Sequence, residues 1–218
     1  MISIEGIESI SLLSIWMLEP NYAGLLLGLG KRGYITARVR PMSLGGYSIT
    51  MLEPPDTIAV KGSTRILYNS WRRVLTVEGS NADEVLNVFN EVEELLKNVG
   101  SNPAEGVLFY ELQVKAISSG GKMALRRSIK TEDILGVELA AVPISFVSIN
   151  GDPNTTYWLQ LDIKPMWTSW SSDRVRYEVV LIYRDKKEKL INTLRNIDNI
   201  LREIIKRISD SLESAVEV

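Results

Sequence analysis

Two long stretches of the chain carry apolar residues at the three- and four-residue spacing of an amphipathic helix. Adding 105 to the number of each apolar position in the first stretch gives an apolar position in the second. The matched positions are Val85, Leu86, Phe89, Val92, Leu95, Leu96 and Val99 in the first stretch, and Leu190, Ile191, Leu194, Ile197, Ile200, Leu201 and Ile204 in the second. The pattern predicts two long helices, each with one apolar face turned to a core.

Polar residues that favour helix starts, and apolar runs typical of strands, precede both stretches. Asn81 precedes the first stretch, and Asp185 precedes the second with Glu188 three residues later, as in a capping box. The runs 74–77 and 179–182 are rich in valine, leucine and isoleucine and again lie 105 residues apart. We therefore expect the chain to enter each helix from a strand.

Two further pairs of segments repeat in the same order, although at slightly different offsets. Residues 68–71 align with 167–170 at an offset of 99, with aromatic residues on aromatic residues and serine on serine. Residues 33–41 align with 136–144 at an offset of 103. The chain thus contains twice, in order, a strand, an intervening segment, about three strands and a helix. An ordered set of matches of this kind predicts an internal duplication.

A short polar linker around Gly100 and Pro103 separates the two copies. We predict a first α+β repeat at residues 1–100 and a second, with a longer hairpin, at residues 101–218. In each repeat a mainly antiparallel, curved sheet packs on a long C-terminal helix, because the apolar face of the helix needs a partner. This order of elements is similar to the duplicated TATA-binding-protein-like fold and to helix-grip sheets. The resemblance implies an architecture and no function, since it rests on element order alone.

Two tryptophans, Trp167 and Trp170, lie three positions apart in the segment PMWTSWSSDR (165–174). If that segment is an extended strand, alternation points the two rings to opposite faces. The first copy carries Tyr68 and Trp71 at the matching positions, followed by two arginines. Two interpretations stay open: a stacking or hot-spot surface for a partner, or an aromatic cross-strand cluster that closes the sheet. The candidate partner-binding residues are Trp167, Trp170, Trp71, Tyr68, Arg72 and Arg73.

The segment GLGKRG (28–33) matches the G-x-G-x-x-G pattern of dinucleotide-binding turns. That pattern binds pyrophosphate only when the glycine turn leads into a helix. The residues that follow, 34–41, alternate in polarity and end at a proline, which predicts a strand. We therefore predict a tight turn with Lys31 and Arg32 exposed. A loose anion-binding nest is the alternative.

The apolar stretch 10–29 is interrupted by Glu19, Pro20 and Asn21, so its uninterrupted parts are too short to span a membrane. We interpret this stretch as buried strand and loop. The N-terminal residues lack the basic region of a signal peptide, and the expected location is the cytoplasm.

Composition restricts the chemistry that the chain can perform. The 218 residues include no cysteine and no histidine, which excludes disulfides, thiolate nucleophiles, histidine bases and the usual zinc sites. A metal would have to be a hard ion bound through oxygen. No pair of carboxylates has a spacing that identifies an acid and a base, so we predict no catalytic residues, no cofactor and no enzyme activity. The lack of cysteine, with only two glutamines, is typical of thermophile proteins.

The balance of charge gives the chain no general attraction for nucleic acid. The net charge is −2, and basic residues gather only locally. Lys122, Arg126, Arg127 and Lys130 lie in a segment that we predict as a helix, directly before two acidic residues. Such a run is more often a solvated charged face, so the charge does not favour nucleic acid as a partner.

These observations favour a non-catalytic binding protein. The contact surface is either the free face of the sheet or the aromatic hairpin tips, and the partner is another protein, a second copy of the chain or, less favoured, nucleic acid. The alternative function is a carrier that holds an apolar small molecule between sheet and helix. A carboxylate-dependent enzyme is the third class.

Overall fold

The computed structural model describes residues 3–41, 47–50, 52–121, 125–130, 138–141, 144–149, 151–152, 154–169 and 171–214. In those ranges the chain forms thirteen strands and five helices, which confirms the α+β class. The strands are β1 (Ser3–Trp16), β2 (Ile35–Thr36), β3 (Arg38–Pro41), β4 (Tyr47–Thr50), β5 (Thr57–Lys61), β6 (Thr64–Asn69), β7 (Val74–Gly79), β8 (Val107–Gly120), β9 (Leu125–Lys130), β10 (Glu138–Ala141), β11 (Ile144–Val147), β12 (Trp158–Pro165) and β13 (Val175–Asp185). The helices are α1 (Tyr22–Lys31), α2 (Ala82–Asn98), α3 (Pro103–Gly106), α4 (Lys187–Arg195) and α5 (Ile197–Ser214).

Nine of the strands form one antiparallel sheet in the order β11-β12-β13-β8-β1-β7-β6-β5-β2. The pairs β3–β4 and β9–β10 form two separate two-stranded ladders. Strands β1 and β8 pair in the large sheet with Ser3 opposite Ser119 and Trp16 opposite Val107. Strands of residues 1–100 therefore lie on one side of the β1–β8 contact and strands of residues 101–218 on the other, within one continuous sheet.

Alternation along the strands divides the large sheet into two faces. In β1 the side chains of Ile10 and Leu12 are buried, whereas those of Ser11 and Leu13 are partly exposed. Helices α2, α4 and α5 pack on the buried face, where helix and strand residues form one hydrophobic cluster. Helix residues of this cluster with no exposed surface include Phe89, Leu96, Leu190, Leu194 and Leu201. Both apolar stretches of the sequence thus face the core, as their spacing predicts.

Helix α1 corrects the prediction of strand and loop for residues 10–29, which is right for β1 and for the loop up to Asn21 but wrong from Tyr22 onward. Glycines lower the helix propensity of this stretch, so the local sequence does not predict the helix. A Cβ added to Gly24 would lie 2.9 Å from Cβ of Val99, and one added to Gly28 would lie 2.8 Å from a methyl of Leu95. The glycines therefore permit the close approach of α1 and α2. In the described ranges, none of the helices is long and apolar enough to cross a membrane.

The glycine-rich segment 28–33 is the end of α1 and not a turn that leads into a helix. Gly28 and Gly30 lie within α1, and Gly33 has a φ of 81° in the turn that follows. The strand predicted after this segment is confirmed as β2 and β3. Arg32 is only partly exposed, contrary to the prediction, because α2 carries two carboxylates within 3.4 Å of its guanidinium.

The starts of the two long helical stretches differ. Asn81 caps α2 as predicted, and its side-chain oxygen accepts a hydrogen bond from the amide of Glu84 at 3.0 Å. The capping box predicted at Asp185 is wrong, because Asp185 is the last residue of β13 and accepts from the adjacent amide of Lys186 at 2.7 Å. The N-cap of α4 is Lys186, which makes no side-chain cap. A break at Asn196 then divides the second stretch into α4 and α5.

Replacing Asn81 by alanine is expected to lower the free energy of unfolding by about 1 kcal/mol, because the amide of Glu84 loses its acceptor. Equilibrium denaturation in urea measures this loss. Asn87→Ala is the matched control, since Asn87 is exposed in the middle of the same helix. That change is expected to be neutral or slightly stabilising, because alanine has the higher helix propensity. Equal losses in the two variants would contradict the capping role of Asn81.

The basic segment before residue 131 is a strand, so the prediction of a helix is wrong there. Arg126, Arg127 and Lys130 lie in β9, which pairs with β10 outside the large sheet. Lys122 lies outside the described residues. Pairing with a partner strand decides this segment, because its two apolar residues, Leu125 and Ile129, lie four positions apart and so lack the alternation typical of a strand.

Candidate functional site

The two tryptophan-bearing turns lie at opposite ends of the large sheet. Trp71 lies between β6 and β7, at the end where β1 finishes. Trp167, which is 65% exposed, begins a 3₁₀ turn between β12 and β13, at the end where β1 starts. This turn removes the strand alternation expected at Trp167, and Trp170 lies outside the described residues. The 14 residues of β1 separate the two ends by roughly 40 Å, so Trp71 and Trp167 do not share a surface.

Tyr68, one of the predicted partner-binding residues, is part of the core. Its side chain is only 2% exposed, and its ring stacks on Tyr22 with 5.3 Å between the centroids. Burial, reinforced by the carboxylate of Glu19, raises the pKa of the Tyr68 hydroxyl to about 12. The hydroxyl is therefore protonated at neutral pH, and the ring offers no surface to a partner.

Three apolar side chains form an exposed patch where β1 finishes. Met17 is 48% exposed, Leu18 is 76% exposed and Trp71 is 96% exposed. We call these three residues the strand-end patch. The amide of Trp16 donates to the carbonyl oxygen of Arg73 at 2.9 Å, and the Arg73 guanidinium donates to the carbonyl oxygen of Met17. Two hydrogen-bonded loops therefore hold the patch in place.

Charged residues of both signs accompany the strand-end patch. Arg72 follows Trp71, and Glu19 follows the other two patch residues; both charged side chains are exposed. The amide of Arg72 donates to the side chain of Asn69 at 2.9 Å, which fixes the turn. Arg73 has a φ of 52°, and its guanidinium reaches the neighbouring loop. Of the predicted partner-binding residues, Trp71, Arg72 and Arg73 are thus exposed together, and Arg73 also supports the loops that carry the other two.

The sheet face opposite the helices, one of the predicted contact surfaces, carries paired charges. Lys115 contacts Glu8 at 3.5 Å and Glu178 at 2.7 Å, across three adjacent strands. The carboxylate of Glu178 contributes most to raising the pKa of Lys115 above its ordinary value. The further pairs on this face are Arg65 with Glu78 at 2.6 Å, Arg176 with Glu5 at 3.0 Å, Lys164 with Asp162 at 3.8 Å, and Arg184 with Glu111. These cations already have carboxylate partners, so they attract phosphate groups only weakly.

A cleft of about 920 Å³ opens between the helices and the end of the sheet where β8 begins. Its walls are the second half of α2, helix α3, the first residues of β8, the loop before β12 and the junction of β13 with α4. Both 1–100 and 101–218 contribute to these walls, so the cleft depends on contact between the two halves. The lining residues with most bearing on its chemistry are Glu93, Lys97, Leu108, Tyr157, Asp185 and Lys186.

Glu93 is an acidic residue on the core side of α2 and is only 9% exposed. The hydroxyl of Tyr110 on β8 donates to one of its carboxylate oxygens at 2.8 Å, and the ammonium of Lys187 on α4 donates to the other. Burial and the negative charge of Glu93 raise the pKa of Tyr110 well above its ordinary value. Tyr110 is therefore a hydrogen-bond donor at any physiological pH, and both oxygens of Glu93 are occupied.

Asp185 is the second buried carboxylate of the cleft. Its oxygens accept hydrogen bonds from the hydroxyl of Tyr183 at 2.8 Å and from the ammonium of Lys189 at 3.0 Å, in addition to the amide of Lys186. Burial acts to raise the pKa of Asp185, but these donors together lower it below its ordinary value. Asp185 is therefore ionised at neutral pH and holds the start of α4 against β13.

The sequence pattern does not single out Glu93, Tyr110 or Lys187. One signal is present, because Glu93 lies four residues after Phe89 and three before Leu96, within the apolar face of α2. A charged residue at a core-facing position indicates a buried partner. The partner itself cannot be inferred from spacing, since Lys187 lies 94 residues further along the chain.

Within the described ranges, no three acidic side chains come close enough together to hold a metal ion. The buried carboxylates of the cleft are paired with hydroxyl and ammonium groups of the protein. Its chemistry is therefore that of ion pairs and an apolar wall. Comparison of the chain with models of known protein families gives no match, and a search of curated proteins gives none either.

Proposed function

We propose that this protein is a non-catalytic binding protein that contacts a second protein chain through the strand-end patch. The observation that carries the proposal is the nearly complete exposure of Trp71, 96%, on a turn that is hydrogen-bonded to the loop of Met17 and Leu18. Large apolar side chains that are exposed side by side mark contact sites more often than scattered ones do. Tryptophan and arginine are also the residue types that contribute most binding energy at protein interfaces.

The partner in this proposal is a second copy of the chain. Arg72 and Glu19 accompany the same patch with opposite charges, so a two-fold axis can place Arg72 of one copy against Glu19 of the other. One exposed tryptophan presents about 200 Å² of surface. A standard interface buries about 800 Å² on each partner. The patch therefore suits the centre of an interface whose rim is polar.

Replacing Trp71 by alanine is expected to weaken self-association at least about tenfold, because the central apolar contact is lost. The free energy of unfolding of the monomer is expected to change by less than about 0.5 kcal/mol, since the ring is exposed. Sedimentation velocity over a concentration series measures the dissociation constant. Trp167→Ala is the matched control, because it removes an exposed tryptophan at the opposite end of the sheet.

Exchange of the two charges provides a second check on the same interface. Arg72→Glu and Glu19→Arg are each expected to weaken self-association. An equimolar mixture of the two variants is expected to restore a dimer, because opposite charges again face each other in both contacts. A wild-type protein that stays monomeric over the concentration series contradicts the proposal, and so does equal weakening by Trp71→Ala and Trp167→Ala.

The other binding classes have weaker support. Nucleic acid on the open sheet face would have to break ion pairs such as Lys115–Glu178 and Arg65–Glu78. An apolar ligand between α2 and the sheet would have to displace fully buried side chains such as Phe89. Catalysis is not part of the proposal, because the buried carboxylate oxygens of the cleft are already occupied by donors of the protein.

We also infer that residues 1–100 and 101–218 are copies of one ancestral unit. The strand order supports this inference: β7, β6 and β5 follow in turn on one side of β1, and β13, β12 and β11 follow in turn on the other side of β8. In addition, β7 leads into α2 as β13 leads into α4. Such an arrangement is similar to the duplicated TATA-binding-protein-like outline.

Relatives are expected to keep apolar residues at both members of each matched pair, and frequent loss at one member alone would contradict the duplication.

A further inference from the structure

Four carboxylates and three ammonium groups are among the described residues that line the cleft, and most of them are in ion pairs. Three of its carboxylates have cationic partners: Glu93 with Lys187, Asp185 with Lys189, and Glu94 with Arg32. Among the residues that the structure describes, Lys97 and Lys186 line the cleft with no carboxylate within the 4.0 Å of a salt bridge. Among the same described residues, Glu188 is the lining carboxylate that has no lysine or arginine within salt-bridge distance. Lys97 and Lys186 are therefore the two ammonium groups of the lining that are left to interact with a ligand.

One wall of the cleft is apolar. Leu108 on β8 and Tyr157 in the loop before β12 are both about half exposed. Val107 and Phe109, the neighbours of Leu108, also line the cleft and are partly buried. This wall suits a flat or short apolar group.

We propose that the cleft binds a small organic anion with an apolar body. The anionic group is attracted by the unpaired ammonium groups of Lys97 and Lys186, and the apolar body packs against Leu108 and Tyr157. The volume of about 920 Å³ lies within the usual range of small-molecule sites, about 300–1,000 Å³. The cleft shares no lining residue with the strand-end patch, although both lie at the end of the sheet where β1 finishes and β8 begins.

The dye 1-anilinonaphthalene-8-sulfonate is a suitable probe, because it joins a sulfonate to an apolar ring system and fluoresces when its rings leave water. The wild-type protein is expected to bind it in a saturable fluorescence titration. N-phenyl-1-naphthylamine has the same rings and no sulfonate, and it is expected to bind roughly tenfold more weakly. Equal affinities for the two dyes would overturn the requirement for an anion, and no saturable binding would overturn the site.

Variants locate the dye on the protein. The double change Lys97→Gln and Lys186→Gln is expected to weaken binding of the sulfonate about tenfold and to leave the neutral dye unaffected. Tyr157→Ser is expected to weaken binding of both dyes, whereas Lys31→Gln on α1 is the matched control with no effect. Loss of binding in Trp71→Ala, with unchanged binding in the lysine variant, would place the dye on the strand-end patch and overturn the proposal.

Discussion

Replacing Phe89 by alanine is expected to lower the free energy of unfolding by about 3–5 kcal/mol. Phe89 has no exposed surface, and its ring meets that of Tyr110 on β8 edge-on, with 6.1 Å between the centroids. The ammonium of Lys187 on α4 lies 5.8 Å from the centre of the same ring. Removal of the ring therefore breaks contacts of α2 with the other half of the protein, and neighbouring side chains can fill the cavity only in part.

Urea denaturation followed by circular dichroism measures this loss. Phe89→Leu is the matched control, because leucine keeps most of the apolar volume, and its expected cost is below about 1.5 kcal/mol. The difference between the two variants isolates the effect of the cavity from that of a changed side-chain shape. A loss below about 1 kcal/mol for Phe89→Ala would contradict the packing of α2 against β8.

Replacing Lys187 by methionine is expected to lower the free energy of unfolding by about 2–3 kcal/mol, because the carboxylate of Glu93 then stays buried with Tyr110 as its only donor. The side chain of Lys187 is 29% exposed, so the loss stays below that of a fully buried pair. Adding Glu93→Gln is expected to restore most of the loss. The neutral amide still accepts the hydroxyl of Tyr110 and leaves no buried charge.

The two single variants and the double variant form a thermodynamic cycle with an expected coupling of about 1–3 kcal/mol. Lys189→Met is the matched control on the same helix, because Lys189 also pairs with a carboxylate but is 63% exposed. Its expected cost is below about 1 kcal/mol, as for other solvent-exposed ion pairs. Similar losses for Lys187→Met and Lys189→Met would contradict a buried ion pair between α2 and α4.

Helix α2 shows how far local patterns determine the fold. Its apolar spacing, its cap at Asn81 and the strand before it all follow from residues within a few positions of one another, and the structure has them as predicted. Helix α1 lacks such a local signal, because glycines weaken its helix propensity. The helix is stabilised by its packing on α2, and Gly24 and Gly28 permit that packing because they have no side chain.

Local sequence patterns indicate much less about the candidate site than about the fold. The match of residues 68–71 to 167–170, and the arginines that follow, predict Trp71 and Arg72 as partner-binding residues, and the structure exposes both. Tyr68 is predicted from the same match, but its side chain is buried. An aromatic residue near a turn is compatible with either environment, because strand alternation sets two faces but does not say which face meets the helices. The cleft leaves no signal in the sequence, since its walls come from five separated segments of the chain.

By itself, the sequence determined the two long helical stretches and the strands that lead into them, which faces of these helices are apolar, and which classes of chemistry the absent cysteine and histidine exclude. Only the tertiary structure decided the order of the strands, the separation of Trp71 from Trp167, and the pairing of Glu93 with Lys187. The physical reason is the range of the interactions. Periodicity and capping act over a few residues, whereas burial and ion pairing depend on groups that meet from distant parts of the chain.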